Sequence, residues 1–135
     1  MISKKCKYAI KAILHVARSH KENKGSSSAQ IADDEQIPKK FLEAILLELR
    51  NAGILKSKRG KEGGYTLQKA PNQISMAEII RIIDGPIAML PCVSLNYYSA
   101  CEECDESTCQ IKKTFQKVRD LTLEVLTQST AEKLT

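Results

Sequence analysis

The chain has 135 residues, of which 42% are hydrophobic and 27% charged, with a formal net charge of +5. That length suits one compact domain or a small domain with an appended element, and the composition excludes a disordered chain. No apolar run approaches the ~20 residues of a membrane span, and the segment from Met1 to Ile10 lacks a signal-peptide core, so a cytoplasmic protein is expected.

A first helix is expected from about Lys4 to His20, with Tyr8, Ile10, Ile13, Leu14 and Ala17 on one apolar stripe. Lys21 to Ser28 holds Gly25 and three serines and reads as a loop. Ser27 or Ser28 suits the cap of a short helix, Ala29 to Glu35, with Ile31 and Ala32 inward. Pro38 fits the first turn of a longer helix, where its missing N–H goes unused. Phe41, Leu42, Ile45, Leu46 and Leu49 mark that helix's buried face, and Gly53 suits its left-handed end. A short helix, a tight turn and a longer helix opening on lysines form a helix-turn-helix pattern. From Leu55 to Leu67, glycines at 60, 63 and 64 punctuate two short strand-like segments, so a hairpin is expected as a wing. It carries Lys56, Lys58, Arg59 and Lys61.

Ser75-Met-Ala-Glu78 is a capping box for a helix with Ile79, Ile80, Ile82 and Ile83, ending at Gly85-Pro86. Ile87 to about Thr108 shows no periodicity. Ser107-Thr-Cys-Gln110 reads as a second capping box, which places Cys109 in the first turn of a long helix running to about Thr127. Its stripe of Ile111, Phe115, Val118, Leu121, Val125 and Leu126 is too long for so small a domain to cover. We read it as a homodimer seam, with packing back on the first helix as the alternative. Ser129 to Glu132 fits the cap of a last short turn. The expected fold is mainly α with a small β-hairpin wing: a winged helix-turn-helix over 1–85, then a cysteine-containing loop and dimerisation helix over 86–135.

Charge divides along the same line. Residues 1–70 hold 15 basic against 7 acidic side chains, a net +8, whereas residues 71–135 net −3. A basic front half points to a polyanion, with nucleic acid the first candidate and a plain solvated surface the alternative. At the start of the second helix of the pair, Lys39 and Lys40 suit phosphate or guanine, and Glu43 suits cytosine unless it pairs with either lysine. Arg59, between Lys58 and Gly60, suits a narrow minor groove. No general base, nucleophile–histidine pair or phosphate loop stands out, so an enzyme is not expected.

Four of the five cysteines follow the spacing Cys92-x8-Cys101-x2-Cys104-x4-Cys109. Clustered thiols in a reducing compartment bind metal or sense redox state more often than they form structural disulfides. Four soft donors satisfy an iron–sulfur cluster first and zinc second, with metal-free thiols as the remaining reading. The acids Glu102, Glu103, Asp105 and Glu106 between them favour a bound cation. Cys6 reads as a small core residue. His20 suits a helix-end dipole partner better than a ligand, and His15 poses the same question.

The segment IPKKFLEAILLELRNAGILKSKRGKEGGYTLQKAP, with YAIKAILHVA before it and ISMAEIIRIIDG after, resembles the Rrf-two family of bacterial winged-helix regulators. The wing from Arg59 to Tyr65 is its most specific piece. The resemblance implies a homodimer binding an imperfect palindrome in double-stranded DNA, with Lys39, Lys40, Glu43, Ser57 and Arg59 at positions that meet DNA. It further implies Cys92, Cys101 and Cys109 as cluster ligands, with Cys104 extra. Two departures stand out: the cysteine spacing is wide, and Lys112 occupies the place of a histidine ligand, which leaves Cys104 as a candidate fourth thiolate. The alternative within the same family is a winged-helix repressor without a cluster, controlled by a protein partner or by thiol redox state.

Overall fold

The computed structural model describes residues 1–61 and 63–135. Its elements in chain order are α1 (Lys4–Lys21), α2 (Ser28–Glu35), α3 (Lys39–Asn51), β1 (Leu55–Lys58), β2 (Gly64–Leu67), α4 (Met76–Ile83), α5 (Gln110–Gln128) and α6 (Ala131–Leu134). Short 3₁₀ turns at Pro71–Gln73 and Pro91–Val93 lie between them. The fold is the expected one, mainly helical with one antiparallel hairpin.

Helix α1 is the central element. Cys6, Ala9, Ile10, Ala12, Ile13, His15, Val16 and Ala17 are all buried on it, a wider face than the expected stripe. Small residues at 9, 12 and 17 let α2, α3, α4 and β2 approach from several sides. Ser3 caps α1 by accepting the Cys6 N–H, 2.9 Å, and the Ser3 hydroxyl donates to Asp84 at the end of α4. Lys5 Nζ meets Glu48 at 2.6 Å and ties α1 to α3.

Helices α2 and α3 form the expected pair. Ser27, rather than Ser28, caps α2 by accepting the Gln30 N–H, 3.1 Å. Leu42, Ile45, Leu46 and Leu49 are fully buried on α3, each contributing on the order of 2 kcal/mol. Phe41 departs from expectation, because it lies at the edge of the stripe and remains 39% exposed. Its ring meets Tyr8 edge-on, with centroids 5.7 Å apart. Pro38 sits one position before its expected place, with ψ 126° just outside the helix. Gly53, at φ +81°, takes the left-handed position that a side chain would resist.

The hairpin pairs Leu55 with Leu67, Lys56 with Thr66, Ser57 with Tyr65 and Lys58 with Gly64. Leu55 and Leu67 are buried at its base, and the residues of β1 beyond Leu55 are exposed. Ser26 adds a bridge on the outer edge of β2 at Tyr65.

Helix α4 begins as its capping box predicts, with Ser75 Oγ accepting the Glu78 N–H at 3.2 Å. The Glu78 carboxylate instead accepts from Lys69 Nζ, 2.6 Å. Helix α5 packs on α4 and on the 91–93 turn, and none of its residues is buried. Ile111, Leu121 and Val125 are more than 60% exposed, as a free stripe requires, whereas Phe115 is half-buried and Leu126 packs back against the core, as the alternative has it. Its cap differs from the expected one. The Ser107 hydroxyl and N–H are both engaged by Asp105, at 2.6 and 3.0 Å, so the helix starts later, on Cys109. Ser129 likewise donates back to the Val125 carbonyl, 2.8 Å, and Thr130 caps α6 in its place. Ala131 is buried in the core, so the chain's last turn returns to α1. Among the described residues, no helix is long and apolar enough to cross a membrane.

Candidate nucleic-acid interface and thiol-lined cavity

Lys39, Lys40 and Glu43 occupy the first turn and a half of α3, all exposed. Glu43 makes no ion pair with either lysine among the described residues, which leaves its carboxylate available. Pro38 supplies no side-chain cap, and Leu42 is the first residue whose N–H finds a carbonyl, that of Pro38 at 2.9 Å. The preceding amides therefore face outward at the positive end of the helix dipole, beside two lysines, an arrangement that suits phosphate. Ser57, Lys58 and Arg59 follow on β1 and just beyond it, exposed and without an ion pair among the described residues. Because β1 packs directly on α3, the two basic groups belong to neighbouring elements.

The four clustered cysteines converge. Cys92, Cys101, Cys104 and Cys109 all line one cavity of about 390 Å³, with Leu90 and Ile111 among its apolar walls. Cys109 caps α5, its Sγ accepting the Lys112 N–H at 3.4 Å. That backbone N–H lowers the Cys109 thiol below its ordinary range, helped by the Cys104 thiol, the Ile111 N–H and the Lys112 charge, against partial burial. Cys104 moves the other way. The neighbouring Cys101 thiol, then burial, then Cys109 push it up to about 12. Among the described residues, no three His, Cys, Asp or Glu side chains stand in metal-holding geometry. The donor set has the number and softness a cluster or zinc ion requires, but the four thiols as they stand do not meet around one point.

Glu106, one of the acids between the thiols, is held by donors from its own loop and from α5. Its carboxylate accepts from Tyr98 Oη at 2.6 Å, Lys112 Nζ at 2.8 Å and the Cys101 N–H at 3.0 Å. The Lys112 bond first, then those of Tyr98 and Cys101, hold it down at about 2. Lys112 is therefore committed to a carboxylate and lies 6.0 Å from the Tyr98 ring centre. Arg119 on α5 donates to the Val93 carbonyl at 2.7 Å and fastens the Cys92 turn to the same helix. No sequence periodicity runs through this loop, so nothing local marks Tyr98 and Arg119 as anchors or pairs Glu106 with its donors.

Cys6 is the core residue expected, fully buried beside Asp84. His20 is exposed in the last turn of α1. His15 is buried and held by Ser26 and Asp34.

A family model described as Rrf2, iron-dependent transcriptional regulator, matches residues 2–135. An Rrf2-like helix-turn-helix regulator of Rhodobacter capsulatus is 47% identical over 121 residues, covering 87% of this chain and 81% of its own. The solved structure of CymR, the global cysteine regulator of Bacillus subtilis, aligns with a TM-score of 0.81 and 31% identity. That alignment covers 99% of this chain and 95% of CymR. The structure of T. potens IscR aligns with a TM-score of 0.76 and 28% identity, over 99% of this chain and 85% of that one.

Proposed function

The chain belongs to the Rrf2 family of transcriptional regulators, and from that membership we propose a cytoplasmic homodimer that reads an imperfect DNA palindrome and is switched by an iron–sulfur cluster. Lys39, Lys40 and Glu43 enter the major groove from the start of α3, and Ser57, Lys58 and Arg59 reach the adjacent backbone and minor groove from the wing. Among the described residues, these are exposed side chains of a +8 half that no ion pair occupies. Exposed apolar positions along α5 supply the seam between two copies.

One observation carries the sensing part: four thiols line a single cavity at the base of that exposed helix. Cys92, Cys101 and Cys109 would hold the cluster with Cys104 as the fourth thiolate, since Lys112 is engaged by Glu106. A bound cluster supplies a redox- and iron-responsive cross-link among these thiols. Cys92 is tied to α5 through the Arg119–Val93 bond, and Cys109 is the α5 cap itself. Drawing the four together therefore shifts the loop against the helix and changes the angle between the two reading heads. About 1.4 kcal/mol of difference between the two arrangements changes DNA occupancy tenfold. Purification without oxygen, followed by iron and sulfide analysis and visible absorption, tests this. Iron and sulfide with a charge-transfer band are expected, and a colourless protein after reconstitution, with zinc or no metal, sinks the cluster.

A second reading rests on Cys104 and Cys109, adjacent thiols shifted in opposite directions. A low thiol beside a protonated one suits reversible oxidation without a metal. Under this reading Cys92→Ala leaves the response intact, whereas Cys104→Ala or Cys109→Ala abolishes it. Under the cluster reading Cys92→Ala abolishes it too.

A further inference from the structure

The wing that carries Arg59 is joined to the helical core by a run of hydrogen bonds through one buried histidine. The run starts on α2, where His15 Nε2–H donates to Asp34 at 2.8 Å, a carboxylate being able only to accept. His15 Nδ1 lies 3.2 Å from the Ser26 hydroxyl, which also meets the Ser19 hydroxyl at 2.9 Å. Ser26 is fully buried and His15 only 8% exposed, so neither side chain has water as a ready substitute partner. From Ser26 the connection passes to the wing by backbone. Tyr65 N–H donates to the Ser26 carbonyl at 2.7 Å, and Ser26 N–H donates to the Tyr65 carbonyl at 3.0 Å.

Gly64 shows how tight this junction is. At φ +119° it faces the same segment so closely that a Cβ would stand 2.6 Å from the Ser26 carbonyl and 2.8 Å from the Ser27 amide. Gly64 pairs across the hairpin with Lys58, the residue before Arg59. The position of Ser26 thus sets the edge against which the returning wing strand is laid. His15 fixes Ser26 and, through Asp34, the first helix of the helix-turn-helix.

We propose that His15 is a positioning residue for DNA binding: through Ser26 it sets the wing, and through Asp34 it holds α2 in register with it. This rests on the reading that Arg59 in the wing contacts DNA. His15 itself touches no DNA. Its effect is to hold the wing ready, so that binding does not have to order it.

The test is a double-substitution cycle on the full chain, using a DNA fragment selected by the protein from random sequence. Ser26→Ala removes the hydroxyl and keeps the backbone pairing. His15→Gln keeps an amide near Asp34 and gives up the bond to Ser26. Each is expected to weaken specific binding about fivefold to tenfold, with amide hydrogen exchange accelerated at Ser26 and Tyr65 and unchanged at Ile13 and Leu49. In an Arg59→Ala background the same substitutions are expected to change affinity less than twofold, because the wing then carries no guanidinium to position. Equal losses in both backgrounds, or no loss in either, would overturn the proposal. If Arg59→Ala alone leaves affinity unchanged, the wing reading has failed first, a result distinct from failure of the histidine relay. Should His15→Gln not fold, Ser26→Ala decides alone, since serine and alanine differ little in volume.

Discussion

Arg59 stands exposed just past β1, and among the described residues no acid pairs with it, so its removal costs the fold little. Truncating an arginine that reads base edges costs about 1–3 kcal/mol of binding, and we take the same scale for Arg59. Arg59→Ala is therefore expected to weaken specific binding at least fivefold, with the thermal midpoint within about 2 °C of the parent. Unchanged affinity in a titration would remove Arg59 from the interface. Cys6 makes the opposite kind of prediction, one about stability. Burial first, and the Asp84 carboxylate second, raise its thiol from 9.0 to about 11. A group raised in the folded state contributes its full stability below its unfolded value and loses it as pH climbs through the folded one. The window is thus pH 9 to 11, and two pH units correspond to roughly 2–3 kcal/mol. Urea midpoints should fall across that window, and fall less steeply in Cys6→Ala. Parallel slopes would show that other groups cause the alkaline loss.

Helix α5 is amphipathic by sequence yet buries no residue in the single chain, so its apolar stripe is the structural basis for the proposed dimer. Leu121 is 63% exposed near its middle. Leu121→Glu places two like charges across such a seam and is expected to shift sedimentation from dimer to monomer, leaving the helical circular-dichroism signal intact. A dimer that persists would move the interface elsewhere. The elements were readable where local chemistry and tertiary packing agree. Ser27 and Ser75 cap where expected, and Leu42, Ile45, Leu46 and Leu49 are buried at helical spacing. Reading failed where two local bonds compete for one group. Ser107 had the right offset for a cap, but Asp105, two residues earlier, holds both its N–H and its hydroxyl. Ser129 is diverted in the same way to the Val125 carbonyl. In the site, the thiols were visible as a set because cysteine is rare and their spacing short. The partners of Glu106, Tyr98 and Arg119 were not, because they are fixed by a loop path that no periodicity encodes. The sequence leaves the role of His15 open, because Ser26 and Asp34 lie 11 and 19 residues away in sequence and nothing local links them.

Charge and symmetry together give a quantity that belongs to no single element. In the proposed reading the +8 half faces DNA while the −3 half holds the thiols, so the attraction for DNA is concentrated at one end of the chain. If two copies neutralise ~8 phosphates, the slope of log affinity against log salt is about −7. Taking away one phosphate anchor reduces that slope by ~0.9. A dimer presents every lysine twice, so Lys39→Ala should flatten the slope by about two, and a monomer's slope by about one. The same measurement separates two roles for this lysine. A phosphate anchor, once removed, weakens binding to all sequences equally, whereas a guanine reader weakens it at the cognate site alone. A slope change near two with equal losses on specific and random DNA is the expected result. An unchanged slope would place Lys39 outside the DNA-facing surface, and would leave the open amides at the start of α3 without their neighbouring positive charge.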